Sequence, residues 1–328
     1  MAVHPRPKKQ HYVPRFYLEH FTDSNGMVWA YDLQTDEIRT GTPENTAIET
    51  NFYSVINDDG VYNDEIENWL QGVEGKASEL YPRVLRGERL KDQEKADFAV
   101  FIASLYARSP AIVTAYAEMS GYMAQHFTNV TFANRTRFET MMDRYDADRG
   151  TRTSKKERDE RFEFAKDKSR YFVQVDKKRG LQALSVTDHL TNIFYDMTWV
   201  VFESKKQHLI TSDNPVIQVN PPEDRHPIYG NGGFLNKRTN VSLPLSSSRL
   251  LGLMWDATVK DGVHPVGKNQ GRLFNRQRAH FSERYLYASE RDSGIKALGK
   301  KFRKPGLRME VSGMDALAPV EVKRKLNK

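Results

Sequence analysis

The chain contains no cysteine. Disulfides, thiolate zinc sites, iron–sulfur clusters and cysteine nucleophiles are therefore excluded, and a reducing cytoplasm is the expected compartment. Long apolar runs are missing too. The longest, Phe98 to Ala107, falls far short of the ~18–20 residues that span a bilayer. The segment Met1–Lys9 is positively charged but lacks the apolar stretch of roughly 7–15 residues that a secretory leader carries. No membrane association is expected. The nine histidines are scattered, with no His-x-x-x-His pair to hold zinc on one helix face. The one glycine cluster, Gly230-Asn231-Gly232-Gly233, lacks the spacing of a nucleotide loop. Neither a metal nor another cofactor is expected.

What is present reads as an ordinary folded protein. The 328 residues are about twice the ~150-residue prior for one domain, and 38% are hydrophobic against 28% charged. Alternation in Val28–Leu33 and Glu37–Thr40 around a Gln-Thr-Asp turn predicts a hairpin. From Asp64, apolar residues at three- and four-residue spacing (Ile66, Trp69, Leu70, Val73, Ala77, Leu80) predict a helix stopped by Gly87. A second helix starts at Asp92, as its cap, and is interrupted or restarted at Pro110. Helical spacing continues over 111–145. The charge-dense stretch 146–162 reads as an exposed connection or a solvated helix end. A helix from Leu181 to Asp196 gives way to strands at 198–202, 208–211, 216–219, 241–245 and 250–255, a helix at 270–281 and a last strand at 284–288. This order predicts an α+β fold, a helical middle packed with a mostly antiparallel mixed sheet. The expected organisation is one compact domain over 1–300, built from 1–60, 61–196 and 197–300, with a basic tail at 301–328.

Charge is unevenly placed. Asp32 to Glu74 holds eleven acids and one base, Arg39, whereas Lys268 to Arg308 holds twelve bases and three acids, interleaved with Phe274, Phe281, Tyr285 and Tyr287. Arginines beside aromatics suit single-stranded nucleic acid, because guanidinium groups hold phosphates while ring faces stack bases. A charged helix face with its aromatics buried has the same composition. The acidic stretch could also pair with the basic one inside the fold. Two weaker patterns carry less. Asp146-Ala147-Asp148-Arg149-Gly150 with Glu157 approximates a calcium loop, but Thr151 stands where glycine is required. Glu203-Ser204-Lys205 approximates a nuclease motif and equally makes a polar turn.

Two segments concentrate reactive side chains. In Gln10-His11-Tyr12-Val13-Pro14-Arg15-Phe16-Tyr17-Leu18, polar groups sit among aromatics, and in Thr211-Ser212-Asp213-Asn214-Pro215 a strand runs into a turn. Polar groups at strand ends often line clefts; the plainer alternatives are an Asx turn for Asp213 and packing for His11. Together these segments resemble the bacterial Domain of Unknown Function 4238 family. Asn51-Phe52-Tyr53, Arg108-Ser109-Pro110, Leu243-Pro244-Leu245-Ser246 and Asn275 follow in matching order, with Ser109 in place of the usual threonine.

The resemblance implies positions more than chemistry: His11, Arg15, Arg108, Asp213, Asn214 and Asn275. It also implies a setting, since some family members are similar to proteins associated with bacterial defence against phage. The expectation is that His11, Arg108, Asp213 and Asn214 share one cleft. There His11 and Asp213 would carry acid–base chemistry on a phosphodiester, with Arg108 stabilising developing charge. Arg15, Asn275, Arg276 and Arg278 would bind substrate. The expected function is a cytoplasmic defence protein acting on RNA or single-stranded DNA, leaning to RNA cleavage. The alternative is a non-catalytic sensor of a phage product or nucleic acid.

Overall fold

Residues 9–56, 62–167, 177–221, 223, 233–291 and 294–302 are described in a computed structural model. The N-terminal motif and charge-skewed hairpin form β1 (Lys9–His11), a short helix α1 (Arg15–Leu18), β2 (Val28–Asp32), β3 (Glu37–Gly41), β4 (Ile48–Thr50), β5 (Val55–Ile56) and β6 (Tyr62–Asn63). Three helices follow, α2 (Glu65–Leu85), α3 (Asp92–Ala107) and α4 (Pro110–Phe132). The expected helix starting at Asp64 and the restart at Pro110 are both present. Helix α2 buries Leu70, Val73, Ala77, Tyr81 and Val84, a single stripe at helical spacing. In α3, Asp92 is the first helical residue rather than the cap; Glu94 reaches back to the Lys91 main-chain N–H at 2.8 Å.

Contacts divide the chain into two compact units, Met1–Ala111 with Ser185–Lys328, and Ile112–Leu184. The second unit holds most of α4 together with α5 (Arg135–Arg149) and α6 (Lys155–Lys166). The charge-dense stretch 146–162, expected as an exposed connection or a solvated helix end, holds the end of α5, a short connection and most of α6. Part of its charge is paired, with Arg158 bonding Glu139, Asp143 and Asp146, and Arg135 bonding Glu139 and Asp159. Asp146 also accepts from Thr151 and Thr153, and Gly150 ends α5 in the left-handed conformation at φ 62°.

The first unit resumes with α7 (Thr187–Asp196), β7 (Thr198–Ser204), β8 (Thr211–Ser212), β9 (Ile217–Val219), β10 (Asn240–Pro244), β11 (Arg249–Met254) and β12 (Val263–Val266). It ends with α8 (Lys268–Phe281), β13 (Tyr285–Ala288) and α9 (Ile295–Phe302). A five-stranded sheet runs β12-β7-β11-β10-β9, antiparallel except for β12 on β7. A four-stranded antiparallel sheet runs β3-β2-β13-β8, so the first hairpin and the last strand share one sheet. The fold is α+β. Helix α3, with Phe98, Phe101, Ile102 and Leu105 fully buried, packs on α2 and α7. The strand expected over 208–211 is only Thr211–Ser212, because His208–Ile210 lie under α8, where Asn275 takes their main-chain groups.

The acidic and basic stretches meet inside this unit. Arg284 bonds Asp32, with the shortest contact at 2.7 Å, and Lys296 and Lys300 both bond Asp36. Among the described residues no single helix is long and apolar enough to cross a membrane; α3 and α4 meet that length and composition only as a pair bent by 60°.

Candidate functional site

The strand-end motif folds inward. Asp213 is fully buried, and its two oxygens accept from three successive main-chain N–H groups, those of Glu283, Arg284 and Tyr285, at 2.6–2.9 Å. Burial pushes its carboxyl up to about 6 against the pull of these donors. Asn214 donates to the Phe281 carbonyl, and its main-chain N–H is bonded by Ser212 Oγ. Asn275 Nδ2 donates to the His208 carbonyl and its Oδ1 accepts from the Ile210 N–H.

Arg278 is 1% exposed and donates to the carbonyls of Asn214, Pro215 and Ser242 and to Ser242 Oγ. Burial lowers its pKa to about 10, so it remains a cation at neutral pH, and among the described residues no carboxylate pairs with it. Arg278 and Asn275 are therefore braces of the interior, each tying neighbouring main-chain segments together.

The N-terminal motif is also mainly scaffold. Gln10 Oε1 accepts from the Tyr53 N–H and its Nε2 donates to Ser54. Tyr12 and Tyr287 share a hydroxyl–hydroxyl bond of 3.1 Å beside Asp213. His11 points elsewhere, its Nε2 3.1 Å from the Glu44 carbonyl, and Arg15 is exposed in an ion pair with Glu19. The expected His11–Asp213 pair does not form, since both Asp213 oxygens are already taken by main-chain donors.

Arg108 stands in a third environment, fully buried at the end of α3. Its Nη1 bonds Glu74 at 2.6 Å, Tyr53 lies beside the guanidinium, and Nε and Nη2 make no hydrogen bond among the described residues. Burial raises the pKa of nearby Glu67, with Gln71 opposing and Glu74 reinforcing. Asp213 thus has partners of its own, whereas His11 and Arg108 share Tyr53, whose hydroxyl donates to the His11 carbonyl at 3.1 Å. Tyr53 belongs to the Asn51-Phe52-Tyr53 segment on which the family resemblance rests, whereas Glu67 and Glu74 stood only among the acids of the Asp32–Glu74 stretch; the signal that would have paired them was their seven-residue spacing on α2, two turns along one face.

The remaining candidate, Arg276, lies where charge is left over. Helices α8 and α9 enclose a cleft of about 290 Å³ lined by Gln207, Arg272, Arg276, Leu298, Lys301 and Phe302, with Asn275 at its floor. Two glycines set its walls. A Cβ on Gly271 would stand 2.7 Å from Ser204 Oγ, and one on Gly299 would stand 2.5 Å from the Tyr31 ring, so each helix lies as close to its neighbour as glycine allows. His280 ties α8 to the Phe302 carbonyl at 3.2 Å.

Arg272 and Arg276 are exposed one turn apart on α8, and among the described residues no acid lines the cleft. The Arg276 guanidinium lies 5.5 Å from the Phe302 ring centre and the Lys301 ammonium 5.6 Å from it. A larger hollow of about 500 Å³ in the second unit, lined by Phe132, Phe138, Met141, Met142 and Phe164, is almost wholly apolar and holds none of the candidate residues. Arg303, Lys304 and Arg308 of the basic segment lie outside the described residues.

No curated protein and no solved structure matches the chain. Residues 9–292 match the family described as "Protein of unknown function (DUF4238)". That span contains the Gln10–Leu18 segment, Arg108, the Asp213 turn and Arg276, and by this match over most of its length the chain belongs to the DUF4238 family.

Proposed function

We propose that the protein binds nucleic acid, RNA or single-stranded DNA, through the cleft between α8 and α9. One observation carries the reading: Arg272, Arg276 and Lys301 converge on a cleft whose lining, among the described residues, contains no acid and whose wall includes an aromatic ring. Cations without an acid partner favour an anionic ligand, and the ring offers a base a stacking face. In the setting that the family resemblance implies, defence against phage, the bound nucleic acid or a phage product would act as the trigger. The test is binding of a fluorescent oligonucleotide to the full chain across a salt series. Affinity that falls with salt, with a slope that flattens by about 0.7 in Arg276→Ala, supports the reading. Affinity indifferent to both salt and this substitution removes it.

Cleavage is a second reading, and it moves from His11 and Asp213 to Arg108. Two carboxylates in unlike environments, Glu67 raised by burial and Glu74 paired with Arg108, are the arrangement that acid–base chemistry uses. Incubation with total RNA and single-stranded DNA, with and without EDTA, tests it. Cleavage lost in Glu67→Gln but kept in His11→Ala supports this site; no cleavage in any condition leaves binding alone.

A further inference from the structure

Resting on the proposed role of the α8–α9 cleft, we infer that it takes one nucleotide at a terminal phosphate monoester rather than the interior of a strand. Size is the first argument. At about 290 Å³ the cleft sits at the small end of the roughly 300–1,000 Å³ range of ligand pockets, room for one nucleotide.

Charge distribution is the second. A groove that tracks a strand needs cations repeated along the backbone. Several cations on neighbouring elements are paired, Lys296 and Lys300 with Asp36, Lys205 with Glu203 and Arg284 with Asp32. The cations that line the cleft, Arg272, Arg276 and Lys301, have no acid partner among the described residues, and Lys268 in the first turn of α8 lies outside that lining. A phosphate monoester carries about −1.5 to −2 at neutral pH, whereas an internal diester carries a single charge spread on two free oxygens. Three converging cations match the monoester.

Geometry is the third. Arg272 and Arg276 project from one face of α8 at four-residue spacing, where two guanidinium forks can share the oxygens of one phosphate. Lys301 adds a point charge from α9. Phe302, next to the Arg276 guanidinium, is placed to meet the base or sugar attached to that phosphate. The same chemistry is offered by the end of a strand and by a free mononucleotide.

The experiment uses the full-length protein and short labelled RNAs that carry phosphate or hydroxyl at the 5′ end, and a second pair differing at the 3′ end. Unlabelled adenosine 5′-monophosphate, adenosine and inorganic phosphate are the competitors. The expected result is that one phosphorylated end binds at least about tenfold more tightly than its hydroxyl counterpart, the worth of one charge-assisted hydrogen bond. Arg276→Ala and Lys301→Ala should abolish that preference with unchanged thermal melting. Competition by the mononucleotide but not by adenosine identifies the free nucleotide as an equal ligand; failure of the mononucleotide to compete, with the end preference intact, identifies the strand end.

Equal binding of phosphorylated and hydroxyl ends, still weakened by Arg276→Ala, overturns the terminal-phosphate inference and leaves nucleic-acid binding standing. Inorganic phosphate competing as well as the mononucleotide overturns the nucleotide part. No binding of any RNA or nucleotide overturns both the inference and the function on which it rests.

Discussion

The Asp213 turn and the α8–α9 cleft are both crowded with polar side chains, yet they do opposite things with them. Around Asp213 the carboxylate, two asparagines and Arg278 bond mainly to main-chain groups, which lock β8, β13 and α8 together, and only Asn214 Oδ1 and Arg278 Nε of these buried atoms have no partner among the described residues. In the cleft, Arg272, Arg276 and Lys301 converge with no acid among the described lining residues. Polar density alone therefore does not mark a ligand site. On the proposed function, what marks one is charge the fold has not used, and each substitution either sharpens that contrast or breaks it.

The largest effect is expected from Arg278→Ala. It strips partners from the buried carbonyls of Asn214, Pro215 and Ser242 and should cost roughly 3 kcal/mol or more, since each buried acceptor left unmade is penalised. A thermal melt reads the loss. If stability is unchanged and oligonucleotide binding falls instead, the division between the two regions is wrong.

Asp213→Ala comes next, at about 2 kcal/mol or more, because three adjacent N–H groups lose their acceptor. Its pH signature is specific. With the folded carboxyl raised to about 6 from 3.8, the folded state holds a proton that the unfolded chain has released between those values. This contribution is therefore fully present below pH 3.8, declines as pH rises through the window and is gone above it. Comparing melts of wild type and Asp213→Asn across that range should show the decline in wild type alone.

Smaller still are the cleft variants. Arg272→Ala and Arg276→Ala should alter stability by no more than about 0.5 kcal/mol, as exposed substitutions do, while each reduces the salt slope of binding by about 0.7. His11→Ala should have the smallest effect on binding. It removes one bond to the Glu44 carbonyl, so a melt within about 1 kcal/mol of wild type and unchanged oligonucleotide affinity are expected. A large loss of affinity would return His11 to the site.

Much of the architecture was legible, because local pattern dictated it. The hairpin at Val28–Leu33 alternates, α2 carries its stripe, and Pro110 restarts a helix as proline at a first turn does. Other elements were hidden for identifiable reasons. Pro265 disguises β12, which tolerates it as an edge strand of the larger sheet. The short period Ile295, Leu298, Phe302 that builds α9 was obscured by the lysines between them. In α8 the buried face is made of Gly271, Asn275, Arg278 and Ala279, which follow helical spacing but are mostly not apolar, so hydrophobic periodicity could not separate Arg278 from Arg276. The partners of Asp213 lie about seventy residues along the chain, a pairing that only the folded topology reveals.

Arg278 has one more consequence, felt at a distance. An interior cation with no carboxylate beside it projects a positive potential through a medium that dissolved ions cannot enter. It stands two residues beyond Arg276, across a helix some 10–12 Å in diameter. A negative group seated directly against α8, with water and ions excluded between it and the helix, would feel that charge through the interior, where electrolyte masks it less than it masks the exposed arginines. If the proposed binding holds, salt should weaken the seated complex less than its effect on the exposed cations alone, the difference being the field of a residue the ligand never touches.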